Sequence, residues 1–220
     1  MPHLYDPNTL SPEESLHRLM VGNRRFLDES VPSSARTFSP QLANKPQRPF
    51  AIVLGCSDSR TPVEILFDEG FGDLFVVRIA GNIVAPSVVG SIEFAASQFG
   101  SRLVVVMGHT GCGAVTATVK ALQTGHGPES KNIRDITDRI APHVEPLLRG
   151  GDASVRAAVR ANVRASAAHL RHGSRILEEL VLAGRVLVVG AEYDLESGVV
   201  DFFDGVPEGV SPSSPPPHMA

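Results

Sequence analysis

Short apolar runs alternate with longer amphipathic segments along most of the chain. Four of these runs are rich in Val, Ile and Leu and contain almost no polar residues, which is typical of strands buried on both faces of a parallel sheet. The predicted strands cover residues 50–54, 74–77, 103–107 and 186–189, and residues 199–203 are predicted to form an edge strand.

The segments between these runs have the spacing of apolar residues that indicates helices. Helices are predicted at residues 62–67, from Ser87 as a capping residue to about Phe99, from about residue 111, at about residues 131–149 with an interruption at Pro142, and at about residues 153–183. Alternating strands and helices predict an α/β fold, in which a mostly parallel sheet carries helices on both faces. We expect about four parallel strands and one antiparallel edge strand.

The first 49 residues are predicted to form an N-terminal helical arm and an extended connection. Ser11 can cap a helix, Pro12 suits its first position, and Glu14 completes a capping box. The helix is predicted to end near residue 28. Residues 30–49 are rich in Ser and Pro, and so long a connection is expected to lie across another part of the protein or a neighbouring subunit.

The topology predicts where a ligand binds. If the first strand is central, with the second strand on one side and the third on the other, the strand order reverses between the first and third strands. Ligands bind at such a reversal, beyond the carboxyl ends of the strands. Cys56 and Asp58 directly follow the first strand, and His109 and Cys112 follow the third. The sequence therefore predicts that these four side chains converge.

Composition narrows the class of protein. The chain has 220 residues, of which 42% are hydrophobic and 20% charged, as in an ordinary globular domain. Residues 50–205 are predicted to form this domain, and residues 206–220, rich in Pro and Ser, a disordered tail. A net charge of −4 gives no basic patch for nucleic acid or anionic membrane. The chain shows neither a secretory signal nor a long apolar span, so a cytoplasmic location is expected.

The only two cysteines lie in two short motifs, C-S-D-S-R at residues 56–60 and G-H-T-G-C-G at residues 108–113. The cysteine count alone fits a disulfide as well as a metal site. Two thiolates, an imidazole and a carboxylate are a tetrahedral zinc set. The neighbouring His109 and Asp58 therefore favour zinc over a disulfide.

Three residues are predicted to bind the metal: Cys56, His109 and Cys112, called the ligand triad below. Three protein ligands and one exchangeable position are typical of a catalytic zinc. Asp58 is the candidate for the fourth position, which it would occupy only in a closed state. Arg60 can instead hold the Asp58 carboxylate in a bidentate clamp and leave the metal open to water. Asp58 and Arg60 are called the dyad below.

At these residues the chain resembles a β-class carbonic anhydrase. The resemblance is carried by the two motifs and by the segment F-V-V-R-I-A-G-N at residues 75–82, and it extends over roughly residues 10–205. Thr61 departs from the family pattern, in which an aliphatic residue is more usual. The resemblance implies one zinc ion per chain on the ligand triad, with the dyad as a gate. It also implies reversible hydration of carbon dioxide to bicarbonate and a proton through zinc-bound hydroxide.

The resemblance further implies a homodimer or a dimer of dimers, with the active site near the subunit interface. Gln47, nine residues before Cys56, stands where one subgroup of the family has a glutamine that binds substrate. Phe75 and Phe94 stand at the offsets of aromatic residues that line an apolar pocket for carbon dioxide. Without the resemblance, Gln47 would be interpreted as an exposed loop residue and the two phenylalanines as ordinary core.

A second subgroup is inhibited by bicarbonate and uses a tryptophan, an arginine and a tyrosine. Val53 stands at the tryptophan position, and the chain contains no tryptophan. Arg78 and Tyr193 remain as counterparts of the other two residues. We therefore expect Asp58 to stay with Arg60 and the site to be open at neutral pH.

Three other functions compete with this interpretation. Hydrolysis of carbon disulfide or carbonyl sulfide would use the same fold and site. A non-enzymatic, zinc-stabilised interaction protein would not need the dyad. A nucleotide-binding module is disfavoured because neither G-x-G-x-x-G nor G-x-x-x-x-G-K-[ST] follows any predicted strand.

Overall fold

The computed structural model describes residues 10–28, 40–152, 154–211 and 213. Its five strands are β1 (Ala51–Gly55), β2 (Leu74–Arg78), β3 (Leu103–His109), β4 (Leu187–Tyr193) and β5 (Val200–Asp204). They form one sheet in the order β2-β1-β3-β4-β5. Neighbouring strands from β2 to β4 are parallel, and β5 pairs antiparallel with β4. The predicted fold class and the reversal of strand order are confirmed.

Helices lie on both faces of the sheet. They are α1 (Pro12–Leu27), α2 (Val63–Leu66), α3 (Pro86–Gln98), α4 (Gly113–Thr124), α5 (Lys131–Arg149), α6 (Val155–His172) and α7 (Arg175–Leu182), with short 3-10 turns at Pro40–Asn44 and Ala80–Asn82. None of the helices in the described part of the chain is long and apolar enough to cross a bilayer.

The apolar strand residues form two cores, because successive side chains of a strand point to opposite faces. One core contains Ala51 and Val53 and is covered by α1 and α2. The other contains Ile52 and Leu54 and is covered by α3, α6 and α7. A third apolar cluster, between α4, α5 and α6, contains Cys56. The candidate site is thus built against packed side chains rather than on a free loop.

The α1 helix packs against the core of its own chain. Its predicted capping box is present, since Ser11 Oγ accepts a hydrogen bond from the Glu14 N–H at 3.1 Å and Glu14 accepts one from the Ser11 N–H. The buried Asn23 amide donates to the Leu66 and Gly198 carbonyls, both at 3.1 Å. Asn23 also accepts from the N–H of residue 200 at 3.0 Å. These bonds join α1 to α2 and to the start of β5.

Two predicted features of the helices are wrong. Ser87 does not cap α3, because the helix already begins at Pro86 and its cap residue, Ala85, makes no side-chain cap bond. Pro142 does not interrupt α5, which continues through Pro142 and Pro146. Both prolines face solvent, so the carbonyls that lose a helical partner lie on the hydrated side.

The segment predicted as one helix at residues 153–183 is two helices, α6 and α7. Gly173 lies between them, and Ser174 caps α7 by accepting a hydrogen bond from the Leu177 N–H at 3.2 Å. Half of the predicted connection at residues 30–49 lies outside the described residues, and the described half is the turn and loop from residue 40. The predicted disordered tail lies outside them too, except residues 206–211 and 213.

The close approach of α1 to α2 makes a prediction for Gly22. A Cβ atom at this position would lie 1.9 Å from the Phe67 carbonyl oxygen, so Gly22→Ala must push the two helices apart. We expect a loss of about 1–3 kcal/mol in the free energy of unfolding, as for other overpacked cores. Urea unfolding at fixed protein concentration measures it.

The control is Gly90→Ala, in the exposed part of α3, where an added Cβ meets nothing within 4 Å. This change should stabilise the protein by roughly 0.5–1 kcal/mol, because alanine is the better helix former. Equal unfolding curves for Gly22→Ala and the unmodified protein would contradict the described packing of α1.

Candidate metal centre

The structure brings the ligand triad together. Cys56 follows β1, His109 ends β3, and Cys112 is the N-cap residue directly before α4. Their ligand atoms all lie within 4.8 Å of one another. The chain can turn back between His109 and Cys112 because Gly111 has a φ of 66°, which glycine adopts without steric cost.

The distance between the two sulfurs decides between a disulfide and a metal site. Cys56 Sγ and Cys112 Sγ are 4.0 Å apart, and both cysteines are free and buried. A disulfide requires about 2.05 Å. Two sulfurs bound tetrahedrally to zinc at about 2.3 Å lie about 3.8 Å apart. The geometry therefore fits a metal.

The orientation of His109 also fits a metal ligand. Its Nδ1 lies 3.0 Å from the Thr110 carbonyl oxygen, to which it can donate. Its Nε2 is buried and has no hydrogen-bond partner among the described residues. When Nδ1 carries the proton, Nε2 presents a lone pair, which is the usual arrangement of a zinc-bound histidine. A buried nitrogen without a partner is costly unless something binds it.

The environment of Cys56 favours its thiolate. The hydrogen bond with Cys112 lowers the pKa of Cys56 to about 4, against the opposing effect of burial, and His109 and the Gly81 amide also lower it. The same sulfur–sulfur hydrogen bond, together with burial, raises the pKa of the Cys112 thiol. The Gly81 N–H lies 3.4 Å from Cys56 Sγ. Metals bind the thiolate form of cysteine, so Cys56 is prepared for a cation at neutral pH.

The dyad lies beside the triad with its carboxylate clamped. Arg60 Nε donates to Asp58 Oδ1 at 2.9 Å, Arg60 Nη2 donates to Asp58 Oδ2 at 2.8 Å, and the Arg60 N–H donates to Oδ1 at 3.0 Å. This clamp holds the pKa of Asp58 well below its usual range. Asp58 Oδ2 is 3.9 Å from His109 Nε2. An ionised oxygen acceptor is thereby held next to the ligand atoms.

Two further side chains hold the loop between Cys56 and Asp58. Arg78 Nε donates to the Cys56 carbonyl at 2.8 Å, and Arg78 Nη2 donates to the Asp58 carbonyl. The buried Thr61 hydroxyl donates to the same Asp58 carbonyl at 2.9 Å. Sequence analysis named Arg78 as the counterpart of an arginine in a bicarbonate pocket and Thr61 as a departure from the family pattern, and it assigned neither residue a part in holding this loop.

The three predicted substrate-binding residues do not join the triad of the same chain. Gln47 is exposed and precedes β1. Phe75 pairs with Ile52 in the sheet, four residues before Cys56, which corresponds to about 13 Å along the strand. Phe94 is 53% exposed and contacts the ring of Phe99 edge-on at 5.3 Å.

Comparisons of the sequence with known proteins all find carbonic anhydrases. A family model described as carbonic anhydrase matches residues 51–200. The chain is 38% identical to carbonic anhydrase 2 of Mycobacterium tuberculosis over 194 residues, which cover 87% of this chain and 92% of that protein. It is 37% identical to the carbonic anhydrase of Mycolicibacterium smegmatis over 196 residues, which cover 89% of this chain and 94% of that protein.

Solved structures give the same result for the fold. The β-carbonic anhydrase CcaA is 26% identical with a TM-score of 0.66, and the match covers 87% of this chain and 96% of that chain. The β-carbonic anhydrase CafA of Aspergillus fumigatus is 28% identical with a TM-score of 0.60, over 76% of this chain and 80% of that chain.

The clamp on Asp58 makes a prediction about titration. The Asp58 carboxyl should titrate below the ordinary aspartate range, and Arg60→Gln should raise its pKa towards about 3.9, the value of an unperturbed aspartate. The carbon-13 shift of labelled aspartate side chains, followed against pH, measures both pKa values.

Asp194 supplies the internal control. Its pKa is also lowered, but by hydrogen bonds from the backbone N–H groups of Ser197 and Glu196, so Arg60→Gln should not change it. An unchanged Asp58 titration in Arg60→Gln would show that the guanidinium is not what holds the carboxylate ionised.

Proposed function

This chain belongs to the β-carbonic anhydrase family of enzymes, and we propose that it hydrates carbon dioxide reversibly at the ligand triad. The observation that supports this site best is the set of three ligand atoms within 4.8 Å of one another, one of them a buried nitrogen without a described partner. We further propose that the triad holds one zinc ion per chain.

A bound zinc ion would supply a Lewis acid that lowers the pKa of a water molecule from about 15.7 to about 7. The two thiolates of the triad balance its charge, which makes the site nearly neutral and weakens this effect relative to three imidazoles. Activation of water then depends on an acceptor close by. Asp58 Oδ2, which lies 3.9 Å from His109 Nε2, is that acceptor in our proposal.

Arg60 and Asp58 have separate tasks in this mechanism. Arg60 binds both carboxylate oxygens of Asp58, so Asp58 would stay off a bound metal and leave it accessible to water. Asp58 accepts a hydrogen bond from the attacking water and turns its lone pair towards the carbon of carbon dioxide. A positioned acceptor of this kind contributes roughly 10²- to 10⁴-fold to a rate.

A closed form regulated by bicarbonate is not part of the proposal. The position where the inhibited subgroup has tryptophan is Val53, which is fully buried in the core. The guanidinium of Arg78 already donates to the carbonyls of Cys56 and Asp58. We therefore propose that the site is open at neutral pH.

We also propose that the substrate pocket is completed by a second copy of the chain. Gln47 is exposed and precedes β1, and Phe94 is more than half exposed, while the triad lies at the other end of β1. If these residues bind substrate, the site they serve is that of a partner subunit, as in a two-fold homodimer. A dimer of dimers would keep the same pairing.

The first test is activity and metal content on the same samples. The protein should hydrate carbon dioxide in stopped-flow assays and carry one zinc per chain. Asp58→Ala should keep its zinc and lose roughly 10²- to 10⁴-fold in kcat/KM, because the acceptor is gone. Cys112→Ser should lose zinc and stability, because ligand loss is coupled to folding.

Asp135→Ala is the matched control, because Asp135 also accepts two hydrogen bonds from an arginine, at 3.1 and 3.2 Å, but on the exposed side of α5. Its activity should equal that of the unmodified protein. Full zinc content and activity in Cys112→Ser would refute the site. Turnover of carbon disulfide or carbonyl sulfide in place of carbon dioxide would refute the substrate, and zinc binding without any turnover would indicate an interaction protein.

Mixed dimers test the shared pocket. Gln47→Ala and Asp58→Ala chains, each nearly inactive alone, are refolded together. A mixed dimer then contains one intact site if Gln47 serves the partner, and the mixture should recover about a quarter of full activity, since half of the dimers are mixed. No recovery would mean that Gln47 serves the site of its own chain, and full activity of Gln47→Ala alone would mean that it serves no site.

A further inference from the structure

The loop between β2 and α3 contains an unusual turn that touches the metal centre. Gly81 and Asn82 are consecutive residues with positive φ values, 67° and 42°. Asn82 is buried, and asparagine adopts this conformation more readily than most residues that carry a side chain. The hydrogen bonds around the turn then decide how firmly it is held.

The peptide group between Gly81 and Asn82 is held at both ends. Its N–H, from Asn82, donates to the Ile79 carbonyl at 2.9 Å. Its carbonyl, from Gly81, accepts from the side-chain amide of Asn162 at 2.8 Å. Asn162 lies in the middle of α6, 81 residues away along the chain, and is only 2% exposed.

The preceding peptide group carries the bond to the metal centre. Its N–H, from Gly81, points at Cys56 Sγ at 3.4 Å. A side chain has little space here, since an added Cβ would lie 2.9 Å from Ile140 Cδ1 and 3.1 Å from Ala114 Cβ. Glycine is the residue whose backbone rotates most easily. Because Asn162 holds the peptide group on one side of the Gly81 Cα, it limits how far the Gly81 N–H on the other side can turn away from the sulfur.

We propose that Asn162 is a positioning residue of the metal centre, which acts through Gly81 on the sulfur of Cys56. This inference rests on the proposed zinc site. A hydrogen bond to a thiolate draws electron density away from the sulfur and thus reduces the charge that it donates to the metal. Asn162 would then set both the affinity of the site and the electronic character of one ligand, although it touches neither metal nor substrate.

The test uses two substitutions with opposite packing effects. Asn162→Ala leaves a cavity, and Asn162→Leu fills the space with a side chain of similar size; both remove the donor to the Gly81 carbonyl. Cobalt(II) is substituted for zinc, and the sulfur-to-cobalt charge-transfer band is recorded. Both variants should shift this band to longer wavelength by the same amount, because the sulfur donates more charge. Zinc affinity, from chelator competition, should fall roughly 10- to 100-fold, because the ligand is no longer held in position before the metal binds. Their melting temperatures should differ.

Ser166→Ala is the matched control. Ser166 is buried in the same helix, one turn after Asn162, and donates to the next carbonyl of the same loop, that of Asn82, at 3.3 Å. The carbonyl that it holds is one residue further along the chain from the Gly81 N–H than the carbonyl that Asn162 holds, so the band and the zinc affinity should stay as in the unmodified protein.

Several outcomes would overturn the inference. The inference fails if neither Asn162 variant shifts the charge-transfer band, or if Ser166→Ala shifts it as much as they do. It also fails if the size of the shift in the two Asn162 variants follows their loss in melting temperature. Failure of both Asn162 variants to fold would also count against it, because it would assign Asn162 a general structural role. If the unmodified protein shows no sulfur-to-cobalt band, the proposed metal centre fails instead, and the two results are thereby distinguished.

Discussion

The register between β1 and β3 is the constraint on which the site depends. Gly55 at the end of β1 pairs with Met107 of β3, so Cys56 leaves the sheet beside the last two residues of β3, which ends at His109. Cys56 and His109 can then approach each other from different strands, and the turn at Gly111 brings Cys112 back to them. A slip of one residue would turn the side chains of β3 to the opposite face and separate the sulfur of residue 56 from the imidazole.

The hydrogen-bond donors around the ligand triad differ in charge according to the group that they bind. The sulfur of Cys56 receives a backbone N–H, whereas the carboxylate of Asp58 receives a guanidinium. Arg78 and Thr61 bind only the backbone carbonyls of the loop. The sulfur is thus held by a neutral donor, whereas the carboxylate, which lies 3.9 Å from His109 Nε2, is held by a charged one.

The sequence was sufficient for the sheet and the triad, because both follow from short-range patterns. Apolar runs mark the strands, and the order of the strands determines where the residue directly after each strand lies. The same approach was wrong at Ser87 and Pro142, where helix boundaries depend on the neighbouring proline and on which face meets solvent. It gave no sign of Asn162, since a bond across 81 residues leaves no local pattern. Gln47, Phe75 and Phe94 were chosen by offset, which says nothing about which chain's site they face.

Both cysteines of the protein belong to the centre, and both are buried. No other thiol in the sequence can react with an alkylating reagent or a chromogenic disulfide. The extent of such a reaction in the native state is therefore a direct count of accessible centres. In a preparation that contains both intact and damaged molecules, a colorimetric thiol titration therefore measures the fraction of molecules whose two sulfurs have become accessible.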